Sequence, residues 1–191
     1  MTLVAYSDLA TWGVLDWRFL LDDPRLHVVA ASPDCPSQLI AALRRASGRD
    51  PVPLAEAAAA DLVILVNPSR AEIRTVAASL SPGGRVCVFT GGAGQGGPLA
   101  VSRRRALVRE LQRRVTGEVT VYWSRRGVLT PTAFVPLGDR ACLRDALRRH
   151  GGHPVGVARA AGHRLLVRAG LAELIPRSAV IVAQRREELA R

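Results

Sequence analysis

The sequence predicts an α/β fold, a three-layer sandwich built on a mostly parallel sheet, and three observations carry that expectation. Short runs rich in Val, Ile and Leu recur at 26–30, 62–66, 85–89, 119–123 and 179–183. They are mostly apolar instead of alternating, as expected of strands covered on both faces. Stretches with helical apolar periodicity lie between several of them, the pattern of strands joined by crossover helices. Glycine and proline punctuate the junctions, at Pro82-Gly83-Gly84 and at Gly151-Gly152-His153-Pro154, where neither helix nor strand continues easily.

Each element follows from its residues. A weak strand candidate at 3–5 precedes the first strong run at 26–30. Residues 37–46 place Leu39, Ala42, Leu43 and Ala46 on one helical face, and the run 62–66 is a buried strand. Ser69 is positioned to cap a helix over 71–80, whose apolar face is Ile73, Val76, Ala77 and Leu80. Pro82 stops that helix, and two glycines permit the positive φ that turns the chain into the strand at 85–89. A third helix over 101–115 aligns Leu107, Val108, Leu111 and Val115. After about Gly117 the pattern changes: a strand at 119–123 runs into Arg125-Arg126-Gly127 and a proline-containing stretch to Pro136, followed by a helix at 140–150. The segment beyond 154 is ambiguous, with a weak strand candidate at 165–167 before the last strand. At 191 residues the chain is long enough to bury its own core. We expect one domain, with 1–117 as its α/β core and 118–191 completing the sheet. No polar linker divides it, and no repeat is visible.

Composition excludes several classes. The chain is 48% hydrophobic and 23% charged, so it is globular and not disordered. A formal charge of +11 on its own points to nucleic acid. All 27 basic residues are Arg, however, and Ala occurs 29 times, which is the residue usage of a GC-rich genome. Aromatic residues, at 4%, supply no platform on which bases stack, so specific nucleic-acid binding is not expected. The Arg clusters at 103–105, 113–114, 125–126 and 148–149 read as solvated faces. Cys35, Cys87 and Cys142 lie far apart without a C-x-x-C pair, so a disulfide framework is not expected and a reducing, cytoplasmic setting is. No stretch approaches the roughly 18 uninterrupted apolar residues of a membrane span, and residues 1–8 lack the features of a secretory signal. His27, His150, His153 and His163 show no metal-ligand spacing.

Asp61-Leu-Val-Ile-Leu-Val-Asn-Pro-Ser, a helix, and then Leu80-Ser-Pro-Gly-Gly-Arg-Val-Cys-Val-Phe stand in succession. This resembles the fourth strand, next helix and fifth strand of the class I S-adenosylmethionine-dependent methyltransferases, where an acidic residue opens one strand and a Leu-x-Pro-Gly-Gly turn opens the next. His27-Val-Val-Ala-Ala-Ser-Pro-Asp and the helix after it are similar to that family's second strand and following helix. The resemblance implies a Rossmann-like sheet with a small antiparallel element near residue 191 and S-adenosylmethionine as cofactor. It also implies methyl transfer to a small molecule or peptide by in-line displacement, with catalysis through positioning.

The resemblance covers about residues 26–90 and departs at two motifs. The family's second strand ends in an acidic residue that grips both ribose hydroxyls; here that position is Ala30, with Asp34 four residues on. The family's first strand leads into an acidic residue and a Gly-x-Gly turn. Here Val14-Leu15-Asp16 is followed by Trp17-Arg18-Phe19-Leu20, and Val4-Ala-Tyr-Ser offers no glycine. Trp12, Trp17 and Phe19 read as packing residues. These departures supply the alternative expectation, a catalytically inactive methyltransferase homologue that serves as a binding or scaffold partner for another protein.

Asn67-Pro68 resembles the start of the Asn-Pro-Pro-aromatic motif of amino-group methyltransferases, whose Asn carbonyl holds the target amine. Ser69 and Arg70 replace its last two residues, and Asn67 is the one catalytic candidate. The run from Thr90 to Gly97 contains Gly92-x-Gly94-x-x-Gly97 between a strand and a helix, the context of a dinucleotide fingerprint. Ser124-Arg125-Arg126 then offers a place for the 2′-phosphate of NADP. An NAD(P)-binding oxidoreductase is the lesser reading, because the chain beyond Arg126 is short for the rest of such a domain and Tyr-x-x-x-Lys is impossible without Lys. Open α/β sheets bind ligands outside the carboxyl ends of their strands. The candidate ligand-binding residues are therefore Ser32 and Asp34, Asn67 and Arg70, and Gly92 and Gly94, each pair following a strand.

Overall fold

The structure is a computed structural model that describes Leu21 and residues 26–91, 98–115, 117–125, 133–148 and 154–185. In chain order these form β1 (Val29–Ala31), α1 (Ser37–Ser47), β2 (Val52–Pro53), a 3-10 turn (Leu54–Ala59), β3 (Leu62–Val66), α2 (Arg70–Ser79) and β4 (Arg85–Thr90). They continue as α3 (Pro98–Arg114), β5 (Val119–Arg125), β6 (Ala133–Pro136), α4 (Arg140–Arg148), α5 (Pro154–Arg168), a second 3-10 turn (Ala172–Leu174) and β7 (Ala179–Gln184). The strands make one seven-stranded sheet in the order β2-β1-β3-β4-β7-β5-β6. β2, β1, β3 and β4 are parallel, β7 runs antiparallel between β4 and β5, and β6 closes the far edge antiparallel to β5. The α/β class, the mostly parallel sheet and the antiparallel element late in the chain are as the sequence predicts.

Side chains along the central strands divide between two apolar layers, because successive residues of a strand face opposite sides. Ala30, Val63, Leu65, Val86, Val88 and Ile181 join one cluster with Ile73, Val76 and Ala77 of α2 and Leu107 and Leu111 of α3. Val29, Leu62, Ile64, Cys87, Phe89 and Val180 join the other with Leu39, Ala42 and Leu43 of α1. Continuous apolar runs are required by exactly opposed demands from these two layers, so every residue of Leu62–Leu65 is fully buried. The far edge has its own cluster, in which Trp123 and Val135 meet Leu143 and Leu147 of α4, Val167 of α5 and Ile175. His163 stands edge-on to the Trp123 ring, with centroids 6.3 Å apart, which gives that histidine a packing role.

Several expectations are corrected. The weak strand candidate at 165–167 lies within α5, where Val167 is buried and Leu165 faces solvent; three apolar residues in a row fit a helix as well as a strand. β2 and β6 are strands that composition did not flag, and both are short edge strands containing proline, as edge positions allow. The run at 26–30 begins its ladder only at Val29, because the amides of His27 and Val28 donate instead to the Asp61 carboxylate, at 3.0 and 2.9 Å. In a doubly wound sheet of order 3-2-1-4-5-6, the first strand separates the second from the fourth. Here β1 bonds β3 directly, with Ala30 opposite Val63, so 29–31 takes the first strand's place and 52–53 the second's. The candidate at 3–5 lies outside the described residues.

Candidate functional site

The sheet reverses its winding between β1 and β3: α1 leads outward to β2 on one face, while α2 leads from β3 to β4 across the other. That is the topological switch point, where a crevice forms outside the carboxyl ends. Ser32 follows β1 there and is 3% exposed. Its amide donates to the Ile64 carbonyl at 2.9 Å, and its hydroxyl oxygen accepts the Val66 amide at 3.2 Å. Ser32 thus extends the β1–β3 ladder by one side-chain rung.

Pro33 and Asp34 form an exposed turn after it, and Asp34 makes no hydrogen bond or ion pair among the described residues. Cys35 closes that turn by donating its amide to the Ser32 carbonyl. Burial pushes its thiol up to about 12, so it is not a nucleophile near neutral pH. The turn carries Pro33 and Pro36 and no glycine. Pro36 is the residue before α1, whose first turn has no side-chain cap.

Asn67 follows β3 in the left-handed region, with φ +47°. Its amide donates to the Gly91 carbonyl at 3.2 Å, and its carbonyl oxygen accepts the Gly91 amide at 2.9 Å. The side chain therefore acts as a one-residue extension between β3 and β4. Arg103 of α3 donates to the carbonyls of Asn67 and Pro68, at 2.6 and 3.2 Å. Gly91 has φ +125°, and a Cβ there would stand 2.7 Å from Ser178 Cα, so only glycine fits. The space among Asn67, Thr90, Gly91 and Arg103 is about 20 Å³, room for about one water.

The sequence candidates are thus only partly brought together. Ser32 and Asn67 follow neighbouring strands and are joined through Val66. Arg70 opens α2 on the solvent side and lines a separate groove of about 460 Å³ with Arg105, Arg109 and Arg113. Gly92 and Gly94 lie outside the described residues. Ser69 caps α2 as expected, in a reciprocal box with Glu72. The reading of 103–105 as a solvated face is corrected: Arg104 is 6% exposed and donates to the Pro176 carbonyl at 3.1 Å, and Arg103 holds the Asn67 turn. Sequence reasoning missed both because arginines that serve backbone carbonyls have no spacing signature.

Two of the features that carried the methyltransferase resemblance, Asp61 and the Leu-x-Pro-Gly-Gly turn, sit at the opposite edge. Asp61 holds the start of β1, as above. Gly83, with φ +77°, donates to the Arg185 carbonyl at 3.0 Å, and the Arg185 amide donates to Gly84 at 2.9 Å. The Arg185 guanidinium also donates to the Leu80 carbonyl at 2.6 Å. The Leu-x-Pro-Gly-Gly turn is therefore docked onto the end of β7.

Conventional S-adenosylmethionine binding needs a ribose-gripping carboxylate and a glycine turn that lets the cofactor close on the backbone. The position that the resemblance gives to the carboxylate is Ala30, and the described turn after β1 carries no glycine. Ala30 is fully buried in the middle of β1, so it is not a strand-end position at all. The turn after β1, beside the switch point, carries Pro33 and Pro36. No cluster of three or more metal-ligating side chains occurs among the described residues, and none of their helices is long and apolar enough to cross a membrane. No protein-family model and no curated protein matches the sequence.

Proposed function

We propose that this chain is a methyltransferase-like protein whose carboxyl edge binds a small molecule, a peptide or a protein partner without transferring a methyl group. The observation that carries this reading is the double hydrogen bond between Asn67 and Gly91. Asn67, the side chain that the resemblance assigns to an acceptor amine, commits one amide hydrogen and one carbonyl lone pair to the backbone of Gly91. Arg103 bonds the same turn from the other side, and a turn held in this way suits a preorganised binding surface.

A second reading, an active S-adenosylmethionine-dependent methyltransferase, is favoured by one feature. With 52–53 in the second strand's place, the carboxylate nearest that strand's end is Glu56, which is exposed on the 3-10 turn, and Asp34 stands exposed after β1. Calorimetric titration with S-adenosylhomocysteine and S-adenosylmethionine separates the two readings. The binding reading expects no heat of binding up to about 100 μM ligand, the loss of a charged hydrogen-bond pair alone weakening affinity by about 30-fold or more. A micromolar dissociation constant that Glu56→Gln or Asp34→Asn weakens would establish the methyltransferase instead.

A further inference from the structure

A cavity of about 770 Å³ opens between α3 and the β5–β6 edge, bounded at its far end by the turn that begins α4. It lies toward the amino ends of the parallel strands, since Glu118 and Val119 begin β5 and Gly138 and Asp139 follow β6, which runs the other way. Its size is that of a small-molecule site, and it is separate from the crevice at Ser32 and Asn67.

Its walls differ in chemistry. Val108, Val119, Val121 and Leu137 supply apolar surface, and the three valines rest against the main core, which fixes them in place. Arg105 and Arg109 project from successive turns of α3 at its mouth. Like charges one turn apart repel along a helix, so the pair creates a local positive potential. Arg109 makes no hydrogen bond or ion pair among the described residues. Two carboxylates, Glu118 and Asp139, stand opposite, and three arginines in the lining outnumber them. Glu118 accepts the Thr120 hydroxyl at 3.1 Å. Asp139 caps α4 by accepting the amides of Ala141 and Cys142, at 2.8 and 3.0 Å, and the Cys142 thiol at 3.1 Å.

We propose that this cavity is a second ligand site that takes an anionic amphiphile. An apolar or planar body of such a ligand lies against the valines, and its carboxylate, sulfonate or phosphate meets Arg105 and Arg109, whose planar guanidinium groups suit such anions. The site stands whether or not the carboxyl edge binds S-adenosylmethionine, because the two lie at opposite edges of the sheet.

The probe is 8-anilinonaphthalene-1-sulfonate, compared with N-phenyl-1-naphthylamine, which has the same rings and no charge. Fluorescence titration of the folded protein is expected to give one saturable sulfonate site per chain. Arg109→Glu should weaken it at least about tenfold, while Arg45→Glu, an equal charge change on exposed α1, should leave it within about twofold. The neutral probe should bind more weakly and be indifferent to Arg109→Glu. Near-UV circular dichroism checks that each variant stays folded, and Arg109→Gln serves if the charge reversal does not. Equal sulfonate affinity in wild type and Arg109 variants, the same loss in Arg45→Glu, or non-saturating binding overturns the proposal.

Discussion

At the amino edge of the sheet, the Asp61 carboxylate holds the start of β1 and the Gly83–Gly84 turn is bonded to Arg185. At the carboxyl edge, Ser32, Asn67, Gly91 and Arg103 perform the same kind of work, tying β1 to β3 and β3 to β4. Asp61 and the Leu-x-Pro-Gly-Gly turn, two of the features that resemble a methyltransferase, belong to the first set, while Ser32 and Asn67, which end the other resembling stretches, belong to the second. Their requirement is backbone satisfaction, which persists in any parallel sheet of this shape. The second set stands where a ligand of an open α/β sheet would have to fit. A likeness carried by the amino edge therefore reports the fold, and only the carboxyl edge reports the ligand.

The sharpest way to break this comparison is Ala30→Asp. If Ala30 marked a ribose-binding position, the new carboxylate would raise affinity for S-adenosylhomocysteine. Ala30 instead contacts the core layer beneath α2 and α3 at 0% exposure, so an unpaired charge there should cost about 4 kcal/mol or more. Urea denaturation is expected to show a large loss of stability, with no gain in cofactor heat. A folded variant of wild-type stability would place residue 30 at the surface and reopen the conventional site.

Gly91→Ala tests the carboxyl edge next. A methyl group would meet Ser178 Cα at 2.7 Å in a backbone conformation of φ +125°, and the expected loss is about 3 kcal/mol. Asp61→Ala is its counterpart at the amino edge. It strands the amides of His27 and Val28 and should cost about 2 kcal/mol, whereas Asp61→Asn keeps an acceptor and should cost less than half as much. Denaturant midpoints for these three variants rank the two edges directly. If Asp61→Ala were the most damaging, the amino edge would carry more of the sheet's stability than the carboxyl edge.

The sequence made the strands at 62–66, 85–89 and 179–183 legible because burial on both faces demands nearly uninterrupted apolar runs, and the half-buried strand at 119–123 legible because it is rich in β-branched and aromatic residues. It made α1 to α3 legible because each buries one stripe, and Ser69 legible because its capping chemistry is local. The edge strands β2 and β6 were not legible: at two and four residues, with prolines, they carry no period. The segment 165–167 was misread because three apolar residues satisfy helix and strand alike. At the site, Asn67 was singled out for a chemical role, but its pairing with Gly91 depends on two strand ends that only the sheet brings together across 24 residues. Arg103 was hidden for the same reason, since its partners are main-chain carbonyls, which have no sequence identity.

The finest test of the carboxyl edge compares two substitutions at Asn67. Both Asn67→Ala and Asn67→Gly remove the pair of hydrogen bonds to Gly91, but only alanine must then hold φ +47° with a Cβ. Left-handed backbone opposes alanine by about 1–2 kcal/mol, and glycine's greater freedom in the unfolded chain returns part of that difference. Asn67→Gly is therefore expected to be more stable than Asn67→Ala by about 1 kcal/mol, and less stable than wild type by about as much. Equal stability of the two variants would show that the turn relaxes out of the left-handed region once the side chain is gone. Wild-type stability in Asn67→Gly would show that the Asn67–Gly91 pair contributes nothing to folding. The amide would then be free to hold a ligand, and the balance would move from the binding reading toward the methyltransferase.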